Sequence, residues 1–307
     1  MIKPIAVIDL GTNTFNLLIG YFDGKEIVVL HGDKESVALG LGGINERKID
    51  EAATVRALQT LRRFKQKTDD FSVEKIYAIG TSAIRDANNQ VAFCQKVKQE
   101  TGIEVQVISG LEEANLIFQG VAATFPFSED AVIMDIGGGS TEFISVKNQQ
   151  VEWSQSFNIG VARILQKFTF SDPLSHEDVA IIEDYLNQHS FDFLSNKRAP
   201  VLIGASGSFE TFYELIHEVN FPKSLQVIEL PFHEILLTLN KLVHSTQAER
   251  EQNQFILPIR RKMAHIAAVK VRWVLNLLQA EKTYVSPCSL KEGVLVQHYK
   301  NFSSSNR

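Results

Sequence analysis

The chain has 307 residues, of which 44% are hydrophobic and 22% are charged, so it has an ordinary globular composition and the length of two domains. Its formal net charge of −5 argues against DNA or anionic membranes as partners, because both require a basic field. Two distant cysteines exclude a disulfide framework, and no apolar run approaches the length of a transmembrane helix. The N-terminus lacks a signal-peptide pattern, so we expect a cytoplasmic protein.

In the first half of the chain, short apolar runs alternate with helical patterns, which predicts an α/β fold. The predicted strands are 5–8, 15–21, 26–31, 75–79 and 104–108, and the predicted helices are 50–67, a segment holding Arg85, and 111–124. A glycine-rich segment over 36–45 predicts a loop.

The second half follows the same order after residues 125–130, which interrupt the pattern and predict a hinge. The predicted elements are a hairpin from Ala131, a strand at 201–204 that leads into a helix, and further helices at 160–168, 175–188 and 259–279. We therefore predict two domains, 1–125 and 126–307, and leave open whether the last helix returns to the first domain.

One pattern occurs twice: a short apolar run, an aspartate, a Gly/Thr/Ser turn and a second apolar run. The copies begin with Ile5–Thr14 and Ala131–Thr141, and a further matching pair follows at residues 80–82 and 204–208. Backbone N–H groups and hydroxyls in such turns suit phosphate oxygens, so we expect two similar domains facing each other across a phosphate-binding cleft. The predicted substrate contacts are Gly11, Thr12, Asn13, Thr14, Thr81, Ser82, Gly137, Gly138, Gly139, Ser140, Thr141, Gly207 and Ser208.

Asp9 and Asp135 end the first strand of each copy and suit a divalent cation such as Mg²⁺, or a water held beside phosphate oxygens. A metal between the two carboxylates would neutralise charges that otherwise repel each other. Glu142, on the following strand, is a candidate third oxygen ligand. The alternative is that each aspartate only caps its own turn.

Two adjacent glutamates, Glu112 and Glu113, lie near the start of a predicted helix after Ser109. Ser109 and Glu112 fit a capping box, which leaves Glu113 without a local role. The helix dipole keeps a carboxylate ionised in the first turn, as a general base that activates water requires. A simple N-terminal helix charge is the alternative, and position alone does not decide between the two.

Arg85 opens a predicted helix after a strand and a Gly-Thr-Ser turn. Its planar guanidinium can bind two phosphate oxygens at once. A surface ion pair with Asp86 or Glu113 is the alternative.

Together these motifs resemble those of the exopolyphosphatase/guanosine pentaphosphate phosphohydrolase (Ppx/GppA) family, within the actin-like ATPase superfamily. The segments that carry the resemblance are Asp9–Thr14, Thr81–Arg85, Ser109–Ala114, Asp135–Glu142 and Ser289–Gly293. Two segments depart from the family pattern. Residues 38–40 read Ala-Leu-Gly in place of Arg-Leu-Gly, and residues 260–265 differ from the usual Arg-Ala-Asp.

The resemblance implies two duplicated actin-like (ribonuclease H-like) domains, each with a mixed five-stranded sheet flanked by helices, and a cleft between them. It implies that Glu113 is the catalytic base, that Arg85 binds phosphate, and that the metal and water site is lined by Asp9, Asp135 and Glu142. The implied activity is Mg²⁺-dependent release of terminal phosphate from inorganic polyphosphate, with guanosine pentaphosphate as the alternative substrate. A homodimer is left open.

Three other functions are left open. An actin-like sugar or acid kinase would transfer phosphate from ATP to an acceptor. A nucleotide-responsive filament former or regulator would keep the turns without needing Glu113. A family member that only binds polyphosphate or an alarmone would release no phosphate.

Overall fold

The computed structural model describes residues 2–305 and divides the chain into two compact units. The first unit extends to Ala123 and includes the chain from Cys288 onward, and the second is Thr124–Pro287. The strands are β1 (Ile5–Leu10), β2 (Thr14–Phe22), β3 (Ile27–Ser36), β4 (Ile76–Gly80), β5 (Val105–Val107), β6 (Ala131–Ile136), β7 (Thr141–Lys147), β8 (Gln150–Phe157), β9 (Val201–Gly204), β10 (Ile228–Leu230) and β11 (Lys282–Val285). The helices are α1 (Glu51–Asp70), α2 (Ser82–Arg85), α3 (Gln90–Thr101), α4 (Gly110–Ala122), α5 (Val161–Lys167), α6 (His176–Leu186), α7 (Asp192–Leu194), α8 (Gly207–His217), α9 (Phe232–Val243), α10 (Gln247–Gln252), α11 (Ala264–Leu278) and α12 (Leu290–Ser305). Within this described part, no helix combines the length and the apolar character that crossing a bilayer requires.

The first unit contains a mixed five-stranded sheet in the order β3-β2-β1-β4-β5. Strand β1 pairs antiparallel with β2 and parallel with β4, and β4 pairs parallel with β5. Residues 5–8 are almost fully buried, as expected for a continuous apolar run in a central strand that is covered on both faces. The parallel register places Leu10 opposite Gly80, so the turns that follow β1 and β4 begin at the same edge of the sheet.

The second unit repeats this arrangement with one additional strand. Its sheet has the order β10-β11-β9-β6-β7-β8, so that β6, β7, β8, β9 and β11 take the places of β1 to β5 with the same pairing senses. The prediction of five strands is wrong for this unit, because β10 pairs antiparallel with β11. A three-residue strand is too short to show a period in the sequence, so only its pairing defines it.

Other predicted elements are present with shifted boundaries. Strand β3 continues to Ser36, into the predicted loop, because its pairing with β2 extends to Thr14. The predicted helix holding Arg85 is a single turn. The helix predicted at 259–279 begins only at Ala264, because Pro258–Arg260 forms a 3₁₀ turn before it.

The last helix, α12, packs against α4 in the first unit at two glycines. A Cβ on Gly293 would lie 1.9 Å from the Leu116 carbonyl oxygen, and a Cβ on Gly120 would lie 2.0 Å from the Ser289 carbonyl oxygen. The two backbones therefore approach too closely for a side chain at either position. The predicted second domain, 126–307, contains this helix, and the sequence leaves open whether the helix returns to the first domain. In the structure the second unit ends at Pro287, and α12 belongs to the first unit.

Gly293→Ala is expected to lower the free energy of unfolding by about 1–3 kcal/mol, because the added methyl group forces α12 away from α4. Chemical denaturation of the full chain measures the change. Gly32→Ala is the matched control, since the nearest heavy atom to its added Cβ is the Leu17 carbonyl oxygen at 3.9 Å. Equal stability of the two variants would show that the helices do not need this close approach.

Candidate functional site

In the first unit, the turn between β1 and β2 is closed by backbone hydrogen bonds. The Gly11 N–H donates to the Thr14 carbonyl oxygen at 3.1 Å, and a Cβ on Gly11 would lie only 2.9 Å from that oxygen. The carbonyl oxygens of Thr12 and Asn13 accept from backbone amides of the loop 37–40. The acceptors of the turn are therefore used inside the protein, which holds the turn in one shape.

The corresponding turn of the second unit is held in the same way. The carbonyl oxygens of Gly137, Gly138 and Gly139 accept from backbone amides of residues 160–162, at distances of 2.9 to 3.2 Å. A Cβ on Gly160 would lie 2.2 Å from the Gly138 carbonyl oxygen, so this contact requires glycine. Among residues 2–305, no backbone carbonyl oxygen accepts from the amides of Gly138 and Gly139. Amides in such a turn are the donors that bind an anion.

Asp9 lies at the end of β1, opposite Asn16 of β2. The Asn16 side chain donates its Nδ2–H to Asp9 Oδ2 at 3.2 Å, and Lys291 supplies a nearby positive charge. Burial raises the pKa of Asp9, and Lys291 and Asn16 oppose that rise only in part. The ionised form of Asp9 is therefore less favourable in the folded chain than in water.

In the second unit, the place that corresponds to Asn16 is taken by Glu142. Asp135 of β6 lies directly opposite Glu142 of β7, so the two side chains leave the same face of the sheet. Glu142 is buried, and its Oε1 accepts from the Ser156 hydroxyl at 2.7 Å. The structure thus brings two of the three predicted metal ligands side by side and pairs the third, Asp9, with an amide in the first unit.

These carboxylates suit a metal ion that takes only one or two ligands from the protein. The described residues contain no group of three or more His, Cys, Asp or Glu side chains that could hold a metal ion. Mg²⁺ typically takes one or two carboxylates and completes its coordination with waters and substrate phosphates. The pair Asp135 and Glu142 fits that mode, and so does a single carboxylate at Asp9.

Arg85 and Glu113 form an ion pair in the first unit. Arg85 Nη1 lies 2.8 Å from Glu113 Oε2 and also donates to the Ile108 carbonyl oxygen at 3.3 Å. Arg85 Nε lies 3.9 Å from Asp86 Oδ1. Glu113 is in the first turn of α4 and is only 8% exposed. The ion-pair alternative for Arg85 is therefore present, and it places the guanidinium against the candidate base.

The capping box predicted for Ser109 and Glu112 is confirmed. The Ser109 hydroxyl accepts from the Glu112 amide at 3.2 Å, and Glu112 Oε2 accepts from the Ser109 amide at 2.8 Å. The hydrogen bond from the Ser109 amide lowers the pKa of Glu112. This bonding fixes the start of α4, and it thereby fixes the direction in which Glu113 leaves the helix.

Two buried serine hydroxyls mark the turns after β4 and β9. Ser82 begins α2 and Ser206 precedes α8, at equivalent positions of the repeat. Neither hydroxyl oxygen has a hydrogen-bond partner among the described residues. A buried polar group without a partner costs free energy, so these hydroxyls are candidate contacts for a ligand. Thr81, beside Ser82, donates to the Leu10 carbonyl oxygen at 3.4 Å.

Arg260 covers the start of α8, where the predicted contacts Gly207 and Ser208 lie. Its guanidinium donates to Thr211 Oγ1 and to Glu210 Oε2, each at 2.8 Å. A Cβ on Gly207 would lie 1.8 Å from Arg260 Nη2, so a side chain there would displace the guanidinium. This contact was not predicted, because it joins residues far apart in the chain.

Comparison with known proteins identifies the arrangement. Residues 19–302 match the model of the Ppx/GppA phosphatase family. An exopolyphosphatase from Cytophaga hutchinsonii has a similar crystal structure, with a TM-score of 0.92, 35% identity, and coverage of 97% of this chain and 98% of that one. A Ppx/GppA family member from Aquifex aeolicus gives a TM-score of 0.81 at 25% identity, with coverage of 97% and 98%. The expected duplicated actin-like fold is confirmed.

A curated relative matches part of the chain. It is a bifunctional 3-dehydroquinate synthase/phosphatase from Fusobacterium nucleatum, 35% identical over 219 residues. The match covers 67% of this chain and 33% of the relative, so this chain spans about a third of the length of that protein.

With a chelator present, Asp9→Asn is expected to raise the free energy of unfolding at pH 7, because the fold disfavours the ionised carboxylate. A carboxyl group whose pKa is raised by folding binds its proton more tightly in the folded than in the unfolded chain. Stability therefore decreases as pH rises above the ordinary value of 3.8, and the advantage of the variant grows toward neutral pH.

Urea denaturation at several pH values measures this difference. Asp70→Asn, which removes an exposed carboxylate at the end of α1, is the control for the change in charge. A less stable Asp9→Asn variant, or a stability difference that does not vary with pH, would contradict the prediction.

Proposed function

Since the chain belongs to the Ppx/GppA phosphatase family, we propose that it is a hydrolase that releases the terminal phosphate of inorganic polyphosphate. The ion pair of Arg85 with Glu113 carries this proposal, because it joins a cation suited to phosphate with a carboxylate suited to activating water. Similarity to an exopolyphosphatase over nearly the whole chain supports polyphosphate as the substrate.

Glu113 is the general base in this proposal. It orients a water molecule for in-line attack on the terminal phosphorus and accepts the proton of that water. Its position in the first turn of α4 favours the ionised form, since the helix dipole is positive there. The capping box leaves Glu112 occupied, so Glu113 is the carboxylate of this helix start that serves the reaction.

Arg85 binds the terminal phosphate and also controls the base. A phosphate oxygen competes with the Glu113 carboxylate for the guanidinium, so substrate binding weakens the ion pair. A carboxylate that loses a positive neighbour becomes a stronger base. Water activation is thereby linked to the presence of a phosphate at Arg85.

The turns supply the remaining phosphate contacts. The amides of Gly138 and Gly139 and the hydroxyls of Ser82 and Ser206 are donors suited to phosphate oxygens. These groups are held by the surrounding backbone, so they need little reorganisation when negative charge develops.

In this proposal Mg²⁺ would be held by Asp135 and Glu142 in the second unit, and Asp9 in the first unit would suit a cation as a single carboxylate. When bound, the ion would neutralise negative charge on the phosphate oxygens. The raised pKa of Asp9 supports a bound cation there, because a positive charge offsets the cost of the ionised form. At the second turn, the two opposed carboxylates leave room for waters and substrate oxygens in the coordination shell.

Glu113→Gln is expected to lower the turnover number for phosphate release by about 10²–10⁴-fold, since the amide cannot accept the proton of water. Glu112→Gln is the matched control at the neighbouring position. Glutamine also completes a capping box, so this control is expected to keep most of the activity. Steady-state phosphate release with polyphosphate measures both variants, and near-normal turnover of Glu113→Gln would remove its assignment as base.

The substrate and the metal are tested in one side-by-side assay. Phosphate release is measured from short polyphosphate, long polyphosphate and guanosine pentaphosphate, each with Mg²⁺ and with a chelator. We expect release from polyphosphate with Mg²⁺ and its loss with the chelator, because the carboxylates need the cation beside the phosphates.

Other outcomes of this assay would replace the proposal. Faster release from guanosine pentaphosphate at equal concentration would assign the chain to that substrate. Binding of both compounds without release would indicate a regulator. Transfer of labelled phosphate from ATP to a sugar or acid, in place of water, would indicate a kinase.

A further inference from the structure

The interior of the second unit contains a fully buried lysine. Lys270 lies in the middle of α11 with 0% exposure, and its neighbours Val269 and Val271 are buried and apolar. Burying an ammonium group costs several kcal/mol unless hydrogen bonds and charges compensate for the lost water. A methionine would fill a similar volume without this cost, so packing alone does not explain a lysine at this position.

The ammonium group of Lys270 contacts the base of the second glycine turn. Its Nζ donates to Thr141 Oγ1 and to the Ile159 carbonyl oxygen, each at 2.5 Å. The Thr141 hydroxyl donates its own hydrogen to the Ser140 carbonyl oxygen at 3.0 Å, so it accepts from Lys270. Burial lowers the pKa of Lys270 to about 7, and the charge of Glu142 opposes that decrease.

These two contacts hold the turn from both of its sides. Thr141 is the last residue of the turn and the first of β7. Ile159 precedes Gly160, whose amide donates to the Gly139 carbonyl oxygen at 3.2 Å. Lys270 therefore joins the end of the turn to the segment that binds its carbonyl oxygens.

The charge of Lys270 also matters for a polyanionic ligand. The chain carries a formal net charge of −5, so attraction of polyphosphate depends on local positive charge. A cation behind the turn contributes to the potential at its amides, and the low dielectric of the interior strengthens this contribution.

We propose that Lys270 is a positioning residue for phosphate binding: it holds Thr141 and the 159–160 segment so that the amides of Gly138 and Gly139 face the ligand, and its protonated form adds a positive charge behind them. This role rests on the proposed function, since it concerns the same phosphate-binding turn. It acts on binding of the phosphate chain and not on the attacking water.

Binding is measured by calorimetry with tripolyphosphate and Mg²⁺, in chains that carry Glu113→Gln to prevent hydrolysis. Lys270→Met is expected to raise the dissociation constant at least about tenfold, because the turn loses the hydrogen bonds that hold its amides in place. In chains that retain Glu113, the Michaelis constant is expected to rise while the turnover number changes less than about threefold, because the displaced turn weakens binding of the ground state and the transition state alike.

Two further variants separate this role from a structural one. Lys147→Met removes the same charge at an exposed end of β7 and should leave the dissociation constant unchanged. Thr141→Val removes the hydroxyl that Lys270 contacts and should weaken binding in the same direction. In a chain that already carries Lys270→Met, Thr141→Val should raise the dissociation constant by a smaller factor than it does alone, because both variants remove the same interaction.

Unchanged tripolyphosphate binding in Lys270→Met, whatever its melting temperature, would overturn the role and leave the proposed function intact. If Lys270→Met fails to fold, Thr141→Val decides, because the Thr141 hydroxyl is fully buried and is bonded to Lys270 and to the Ser140 carbonyl oxygen. Weaker binding then supports the role and unchanged binding overturns it. A wild-type chain that neither binds nor hydrolyses tripolyphosphate would reject the proposed function, and this role with it.

Discussion

The shape of two short turns, held by hydrogen bonds to their carbonyl oxygens, is the constraint on which the rest of the structure depends. In the first unit the loop 37–40 donates to Thr12 and Asn13, and in the second unit the start of α5 donates to the three glycines. In the second unit no backbone carbonyl oxygen accepts from the amides of Gly138 and Gly139, so among the described residues that turn keeps donors suited to an anion. A side chain at Gly160 would collide with the Gly138 carbonyl oxygen, so this arrangement requires glycine there.

The charged side chains of the candidate site occur as pairs of opposite sign. Arg85 contacts Glu113, Lys291 lies near Asp9, and Lys270 is attracted by Glu142. Each pair offsets part of the cost of keeping an ionised group away from water. In this chain of net negative charge, the positive charges near the candidate site are thus local and paired, and they do not form a broad basic surface.

Much of the candidate site could be predicted because its parts are local in sequence. The carboxylates Asp9 and Asp135, the turns that follow them and the capping box at Ser109 all lie within a few residues of their partners. The contact of Arg85 with Glu113 spans 28 residues, and the sequence predicts it only as an alternative to phosphate binding. The sequence does not single out Ser206, although it occupies the position of the repeat that corresponds to Ser82, and only the buried hydroxyl without a partner makes it a candidate.

By itself, the sequence determined the duplicated pattern of strand, aspartate, turn and strand, the capped start of α4, and the family resemblance. Only the tertiary structure decided that α12 lies on α4, that β10 extends the second sheet, and that Lys270 reaches Thr141 from 129 residues away. The physical reason is that periodicity and capping report forces between near neighbours in the chain. Contacts between distant segments depend on how closely two backbones can approach and on which buried groups need partners, and no local pattern records either.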